Sequence, residues 1–240
     1  MEVVARAVEV EQRSEEWYRI RQDLLTASAC VDVLEQNPFN RDSRAKVLSE
    51  KVTGERSPVN EIHTRHGTLF EPVATRLYER HFGVTVQNVG IVLHKTVPFL
   101  GASPDGVVVE SARLLEIKCP ATRRITGKVP PYYWAQVQLQ LEVCDVEECD
   151  FWECRFQVVQ DEAEWERFEP AVPGVDPLLQ KGVLEDGTKW VLLATSCNLV
   201  RRDRAWFEEA RPKLERFWKE VEFYRARGFS FDTAGEVFEL

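Results

Sequence analysis

Apolar residues recur every three or four positions through the first third of the chain, which is the spacing of helices that bury one face. Ser14 precedes such a series and predicts a capped helix, and a second helix is expected to begin near Thr26 or Ser28. A charged helix and a polar loop are predicted over 41–60. Over 63–83 the pattern predicts an amphipathic helix whose buried stripe is Leu69, Phe70, Val73, Leu77 and Tyr78.

Short β-branched and alternating runs follow and favour strands. Residues 84–98 predict one or two strands, and Phe99–Pro120 predicts a β-hairpin with strands Gly106–Val109 and Leu114–Ile117. A helix is predicted over 131–143. An alternating strand over 149–159 is expected on the far side of the sheet.

The last part of the chain predicts one more strand and a long helix over about 188–228, with the helix bent or broken near Pro212. No shift in composition marks a domain boundary. We therefore expect residues 1–240 to form one α/β domain, a central mixed sheet flanked by helices.

Composition narrows the class of protein. A chain of 240 residues with 44% hydrophobic content can bury a sizeable core. The net charge of -9 argues against coating nucleic acid through bulk charge, but it is compatible with basic residues gathered in one groove. No membrane-length apolar run and no secretory signal is seen, so an intracellular protein is expected.

Six cysteines are scattered along the chain, and we expect them to be reduced and mostly buried. Cys144, Cys149 and Cys154 recur at intervals of five, which leaves an iron-sulphur cluster as an alternative.

Three charged residues belong to the predicted hairpin. Glu116 and Lys118 are two positions apart, so on a strand both side chains leave the same face while Ile117 points into the core. Asp105 lies eleven residues before Glu116, and a hairpin of this size can bring its carboxylate to the neighbouring strand. We therefore expect two carboxylates and an ammonium to converge.

Carboxylate oxygens suit a hard cation such as Mg²⁺, with Mn²⁺ as a substitute, and phosphate oxygens can replace the waters that Mg²⁺ keeps. The natural substrate is then a phosphodiester. Lys118 would lower the pKa of the attacking water and offset charge developing on the phosphorus oxygens. The alternative is an exposed hairpin with a cross-strand ion pair, and the spacing alone leaves both interpretations open.

The order Pro104-Asp105, then Glu116-Ile117-Lys118, resembles the signature of PD-(D/E)XK nucleases. The pattern W-x3-R-x4-T-A-S, from Trp17 to Ser28, resembles the N-terminal motif of the phage lambda exonuclease and related viral recombinase nucleases of the YqaJ family. In that family the arginine and serine bind the terminal 5′-phosphate, so the resemblance implies this role for Arg21 and Ser28. A guanidinium that forks onto phosphate oxygens is suited to it, and a surface arginine with a helix-capping serine is the alternative.

Two more patterns extend the resemblance. G-x3-E, from Gly67 to Glu71, matches the family's metal-site glutamate, although Thr68 and Glu71 also fit a capping box. Y-x2-Q-x-Q, beginning at Tyr133, matches a pattern whose glutamine lines the active site and implies that role for Gln136. Tyr133 itself could be a core aromatic.

The resemblance also implies the ligand set of the metal. Asp105 and Glu116 would bind it, with help from Glu71 and the carbonyl of Ile117. A basic connector over 121–131 would place Arg123 and Arg124 against the DNA backbone, with a solvated loop as the alternative.

Residues 14–160 carry this resemblance, which implies a restriction-endonuclease-like fold and a Mg²⁺-dependent exodeoxyribonuclease. Such an enzyme digests one strand of duplex DNA from its 5′ end and prepares single strands for recombination. The implied partners are a single-strand annealing protein and further copies of the chain, in a homo-oligomer such as a ring-shaped homotrimer. Two alternatives remain: a structure-specific or restriction-type endonuclease with the same site, and a non-catalytic DNA-binding protein on a nuclease fold.

Overall fold

The computed structural model describes residues 2–40, 42–55, 61–227, 230–231 and 237–238. Their α-helices are α1 Glu2–Arg6, α2 Glu15–Gln22, α3 Ala27–Val33, α4 Ser43–Thr53, α5 Glu61–Phe82, α6 Pro131–Cys144, α7 Glu162–Arg167 and α8 Arg204–Arg227. The strands are β1 Ala7–Val8, β2 Leu25–Thr26, β3 Val86–Gln87, β4 Ile91–Leu93, β5 Leu100–Ala102, β6 Gly106–Val108, β7 Leu114–Lys118, β8 Glu148–Val158, β9 Lys181–Val183, β10 Lys189–Arg201, β11 Ser230–Phe231 and β12 Val237–Phe238. Of the polar loop predicted before residue 60, positions 56–60 lie outside the described residues.

The strands form mixed sheets between helices, which confirms the predicted α/β class. A larger sheet has the order β3-β6-β7-β8-β10-β9, in which only β7 and β8 are parallel among the described strands. A smaller sheet has the order β1-β4-β5-β2. The third sheet of the described chain consists of β11 and β12 alone. The chain leaves the smaller sheet after β5 and enters the larger one at β6, and Pro104 between them has no N–H with which to continue a ladder.

Both faces of β7 and β8 are covered. On one face Leu114 and Phe151 join a core shared with α3, α6 and α8. On the other, Ile117 and Trp152 join a core with α5. The placement of the 149–159 strand on the far side of the sheet was therefore wrong, because β8 is an interior strand whose central residues are buried on both faces.

The helix α5 corrects two predictions. It begins at Glu61, so Thr68 lies inside it, and the capping box with Glu71 does not exist. Phe70 and Leu77 are buried as expected, but Leu69 is 36% exposed. The apolar stripe includes Ala74 instead, which lies one turn after Phe70 on the same face.

The helix α8 runs unbroken past Pro212, so of the two predicted possibilities, a bend or a break, the break was wrong. Its buried stripe extends on both sides of the proline, from Phe207 to Val221, and packing of that stripe holds the two halves in one helix. In the described part of the chain, no helix combines the length and apolar character needed to cross a membrane.

The cysteines are unpaired thiols, and only Cys197 is exposed. Cys144 and Cys149 belong to the core beside α6, whereas Cys154 belongs to the core beside α5. The iron-sulphur alternative was therefore wrong, because the sheet itself separates the thiols that would have to meet.

Candidate active site

The predicted hairpin is formed by β6 and β7, with Gly106 opposite Leu115. Asp105 stands directly before β6, and its Oδ2 accepts a hydrogen bond of 2.6 Å from the backbone N–H of Ile117 on β7. The carboxylate thus reaches the neighbouring strand, as its spacing predicted. Glu116 is only 2% exposed, so the alternative of an exposed hairpin was wrong.

The carboxylate of Glu116 contacts three donor groups, one ammonium and two side-chain amides. Lys118 Nζ lies 2.5 Å from Oε1. Gln136 donates to the same oxygen at 2.7 Å, and Gln140 donates to Oε2 at 2.6 Å. These contacts fix both carboxylate oxygens. Gln140 was not predicted as a site residue, although its i, i+4 relation to Gln136 on one helix face was the signal that could have identified it.

Electrostatics within this cluster favour a cation. Burial and the negative charge of Glu116 raise the pKa of Asp105 well above its ordinary value. Burial alone would lower the pKa of Lys118, but the charges of Glu116 and Asp105 outweigh it and raise that pKa. Lys118 therefore remains an ammonium at neutral pH.

Glu71 on α5 adds to the negative charge at Asp105, since its charge also raises the Asp105 pKa. Its Oε2 accepts from Arg13 at 2.9 Å, and its side chain is 27% exposed. Among the described residues, no three His, Cys, Asp or Glu side chains are already drawn together as a metal-binding group. Glu71 is near the two hairpin carboxylates without completing a preformed shell.

The donor chemistry of the site nevertheless fits a hard cation. Asp105, Glu116 and the carbonyl of Ile117 offer only oxygen atoms. Within the described chain, Gln140 Oε1 beside them is buried and accepts no hydrogen bond. Excess negative charge and an unused oxygen are both stabilised by a cation.

The basic connector after β7 contains two arginines that differ in pairing and exposure. Arg123 pairs with Glu153, a fully buried carboxylate on β8, and its guanidinium carbon lies 5.7 Å from the centre of the Tyr133 ring. Arg124 is exposed. For Arg123 the alternative of a solvated loop residue was wrong, and Glu153 was missed because nothing local in the sequence marks it.

Tyr133 is half-buried and contacts both the hydrophobic core and the charged site. Its ring packs against Phe151 in the core, with centroids 5.6 Å apart. Lys118 Nζ lies 4.8 Å from the ring centroid. Tyr133 is therefore both a core aromatic, as predicted, and a neighbour of the site lysine through a cation–π contact.

A second cluster forms where α2 meets α3. Arg21 donates to Ser28 Oγ at 3.1 Å and to Thr26 Oγ1 at 3.2 Å. Its guanidinium carbon lies 4.1 Å from the Trp17 ring centroid. Ser14 caps α2 by accepting from the N–H of Trp17. The structure thus brings Trp17, Arg21 and Ser28 together, as the family resemblance implied.

Burial of Arg21, and of Lys51 beside it, carries an electrostatic cost. Burial lowers the pKa of Arg21 to about 10. Lys51 on α4 is 8% exposed and donates to the carbonyl of Arg21 at 2.6 Å. Burial, and then the charge of Arg21, lower the pKa of Lys51 to about 8. We refer to Arg21, Thr26, Ser28 and Lys51 as the basic pocket.

The C-terminal helix supports the basic pocket from behind. Arg225 on α8 donates to the carbonyls of Gln22 and Lys51, at 3.0 and 2.6 Å. It also pairs with Asp23 at 2.9 Å. Neither Lys51 nor Arg225 was predicted, because both lie far along the chain from the motif that they support.

Comparison with known proteins identifies relatives of this chain. A sequence model of the YqaJ-like viral recombinase domain matches residues 16–147. A curated but uncharacterised protein of Acanthamoeba polyphaga mimivirus is 27% identical, over 97% of this chain and 56% of its own length. A protein of African swine fever virus is 31% identical, over 53% of this chain and 45% of its own. The chain spans about half the length of the curated relatives that it matches.

Solved structures share the fold. An alkaline exonuclease from Laribacter hongkongensis has a TM-score of 0.63 and 27% identity, over 89% of this chain and 95% of that one. A phage-related exonuclease from Haemophilus somnus has a TM-score of 0.58 at 10% identity, over 85% of this chain and 95% of that one. The second likeness concerns the fold alone. Together these neighbours identify the architecture as that of PD-(D/E)XK nucleases.

Proposed function

The chain belongs to the YqaJ-like viral recombinase family, and we propose that it is a Mg²⁺-dependent exodeoxyribonuclease that digests one strand of duplex DNA from the 5′ end. The observation that carries the proposal is the convergence of Asp105, Glu116 and Lys118 in a buried hairpin. The Laribacter neighbour, an alkaline exonuclease of nearly the same extent, supports the class of reaction.

The metal would be held by Asp105 and Glu116, with Glu71 and the carbonyl of Ile117 as further oxygen donors. Bound Mg²⁺ would supply an activated water and electrophilic assistance to the phosphodiester. The raised pKa of Asp105 supports this assignment, because a cation beside the carboxylate would offset the burial and the repulsion from Glu116 that raise it.

Lys118 acts in this proposal as a fixed positive charge. Its raised pKa keeps it protonated, so it does not accept a proton from water. Its charge instead lowers the pKa of the attacking water and stabilises negative charge on the phosphate oxygens. Gln136 and Gln140 hold the carboxylate of Glu116 in one orientation. Such preorganisation avoids the cost of reorienting the carboxylate during the reaction.

The basic pocket supports recognition of a DNA end. Arg21, Ser28 and Lys51 present a guanidinium, a hydroxyl and an ammonium, which are donors suited to a terminal phosphate. A terminal 5′-phosphate carries more charge than an internal phosphodiester, so it is the anion that such a pocket binds best. An enzyme with this requirement starts at ends and proceeds in the 5′-to-3′ direction.

The experiment compares 5′-phosphorylated linear duplex, labelled on one strand, with covalently closed circular DNA. We expect digestion of the linear DNA from its 5′ end in Mg²⁺, no cleavage in EDTA, and no cleavage of closed circles. Cleavage of closed circles would instead identify an endonuclease with the same site. Binding of DNA without cleavage in either Mg²⁺ or Mn²⁺ would identify a non-catalytic protein.

A further inference from the structure

Glu153 is a fully buried carboxylate next to the site, yet the proposed reaction gives it no role. It lies on β8 opposite Lys118 in the parallel register, and its relative exposure is 0%. A carboxylate removed from water is costly unless it is paired with a positive charge. Its partner is Arg123 from the connector that follows β7. The ion pair with Arg123 thus offsets the cost of burying the charge of Glu153.

Arg123 is held beside the catalytic lysine. Its guanidinium and Lys118 Nζ both lie near the Tyr133 ring, at 5.7 and 4.8 Å from the centroid. The Arg123 side chain remains 27% exposed, so the guanidinium is anchored on one side and accessible on the other. Five N–H donors allow an arginine to bind one anion while paired with another.

Arg123 pairs with one of the two carboxylate oxygens of Glu153. Glu153 Oε1 accepts from Arg123, whereas Oε2 is buried and accepts no hydrogen bond from the residues that the structure describes. A purely structural tether would be expected to use both oxygens in the two-pronged arrangement that arginine and carboxylate favour. Arg123 Nη2 donates to Glu153, and Nη1 makes a long hydrogen bond of 3.5 Å to the carbonyl of Arg124. The remaining N–H donors of the guanidinium are left for a second ligand.

We propose that Glu153 is a positioning residue that fixes the Arg123 guanidinium beside Lys118, where it binds a phosphate oxygen of the DNA strand being cleaved. This inference rests on the proposed function and deepens it. Arg124 is the natural comparison, since it follows Arg123 directly but is exposed. An exposed arginine adds affinity for the DNA backbone, whereas a fixed one beside the reacting phosphate contributes to the rate.

The first experiment measures kcat and KM on 5′-phosphorylated duplex for Arg123→Ala and Arg124→Ala. Losing a charge-assisted contact to the reacting phosphate should lower kcat about ten- to a hundred-fold in Arg123→Ala. Arg124→Ala should raise KM and leave kcat nearly unchanged. Arg123→Lys should recover only part of the rate, because an ammonium keeps the charge but not the fork. Equal effects of the two alanine variants on kcat would overturn the inference.

The second experiment tests Glu153 through chemical rescue. Arg123→Ala leaves a space beside a buried carboxylate, which free guanidinium ion can occupy. Guanidinium chloride at low, non-denaturing concentration should raise kcat of Arg123→Ala with saturation, relative to sodium chloride at equal ionic strength. The double variant Arg123→Ala/Glu153→Gln should show no such rescue, because an amide does not pair with the cation.

Two further measurements keep these outcomes separate from folding and from the proposed function. Thermal melting of Arg123→Ala should rise with guanidinium in the low range where rescue saturates, and the double variant should not respond. Rescue of both variants alike, or of neither, would remove Glu153 from this role. Wild-type cleavage in Mg²⁺ together with an unaffected Arg123→Ala would overturn only this inference, whereas an inactive wild type would overturn the proposed function.

Discussion

Asp105, Glu116 and Lys118 form what we call the hairpin cluster. This cluster and the basic pocket both contain buried charged side chains, but carboxylates predominate in the hairpin cluster, whereas the charged side chains of the basic pocket are cations. At the hairpin, burial and Glu116 raise the pKa of Asp105. In the basic pocket, burial lowers the pKa of Arg21 to about 10, and burial with Arg21 lowers the pKa of Lys51 to about 8. In each cluster, burial and a neighbouring charge of the same sign together shift a pKa toward the neutral form of the side chain.

The difference indicates what each cluster binds. Like charges that raise one another's free energy are stabilised by a ligand of opposite sign, and binding of that ligand stabilises the folded protein. A cation fits the hairpin cluster and an anion fits the basic pocket. Under the proposed function these ligands are Mg²⁺ and a 5′-phosphate, the two that an end-dependent nuclease requires. Substitutions that change one cluster should therefore leave the function of the other intact.

The largest effect is expected from the carboxylates of the hairpin cluster. Glu116→Gln and Asp105→Asn should each abolish cleavage, because the site loses a charged oxygen donor for the metal. DNA binding should persist, since the basic pocket is unchanged. Cleavage of labelled duplex and binding to the same duplex in Ca²⁺ measure the two properties. Glu209→Gln, at an exposed position of α8, is the control, and near wild-type turnover in either hairpin variant would disprove the assignment.

Lys118→Ala should lower the rate by about 10²- to 10³-fold, the usual contribution of a transition-state donor. Raising the pH should restore part of the rate, because hydroxide then forms without help from the lysine. The measurement is kcat across pH for the variant and for the control Lys213→Ala, an exposed lysine on α8. A Lys118→Ala profile parallel to that of the wild type would exclude this role.

A smaller and more selective effect is expected from the basic pocket. Arg21→Ala should cost about ten- to a hundred-fold in kcat/KM on duplex with a 5′-phosphate, since a charge-assisted hydrogen bond contributes roughly 1.5 to 3 kcal/mol. On duplex with a 5′-hydroxyl there is little contact to lose. The preference for phosphate should therefore disappear, and Ser28→Ala should reduce it less because the hydroxyl is neutral.

Arg19→Ala is the matched control for Arg21→Ala, because Arg19 lies on the same helix and pairs only loosely with Glu16, at 3.7 Å. It should retain the preference for phosphate. Equal losses of Arg21→Ala on both DNA substrates would mean that the arginine supports the fold or general backbone contact.

The smallest effect concerns stability and pH. The folded-state pKa of Lys51, about 8, lies below its ordinary value of 10.5, so the unfolded chain binds more protons between these pH values. The cost of burying the ammonium is fully present below pH 8 and is relieved as the pH rises toward 10.5. Relative to Lys51→Met, the wild type should gain roughly 3 kcal/mol of unfolding free energy across this window.

Denaturant unfolding of both proteins at a series of pH values measures this gain, with Lys46→Met on the same helix as the exposed control. A constant difference between wild type and Lys51→Met would show that Lys51 is not buried as a cation.

The residues that sequence patterns identified lie close together along the chain. Asp105, Glu116 and Lys118 belong to one hairpin, so short-range geometry was enough to predict their convergence. Arg21 and Ser28 lie seven residues apart on consecutive helices, and the family resemblance implied their common role. Lys51, Glu153 and Arg225 were missed because they come from elsewhere in the chain. Their positions depend on how helices and strands pack, which local periodicity does not specify.

The errors about the fold have the same origin. Hydrophobic alternation indicated a strand at 149–159 but could not place it in the interior of the larger sheet, because that depends on cover from α5 and α6. The smaller and the larger sheet separate at Pro104, between β5 and β6, and strand patterns considered one at a time do not show where one sheet ends.

The support that Arg225 gives to the basic pocket affects how truncations of this protein should be interpreted. The family match ends at residue 147, so a deletion of α8 would keep every recognisable motif. It would also remove the side chain that ties the end of α2 to the end of α4. Loss of end-dependent cleavage in such a deletion would reflect the loss of core residues and of support for the pocket, and it should not be taken as proof that the C-terminal region touches DNA. The substitution Arg225→Gln, which leaves the helix in place, separates these two interpretations.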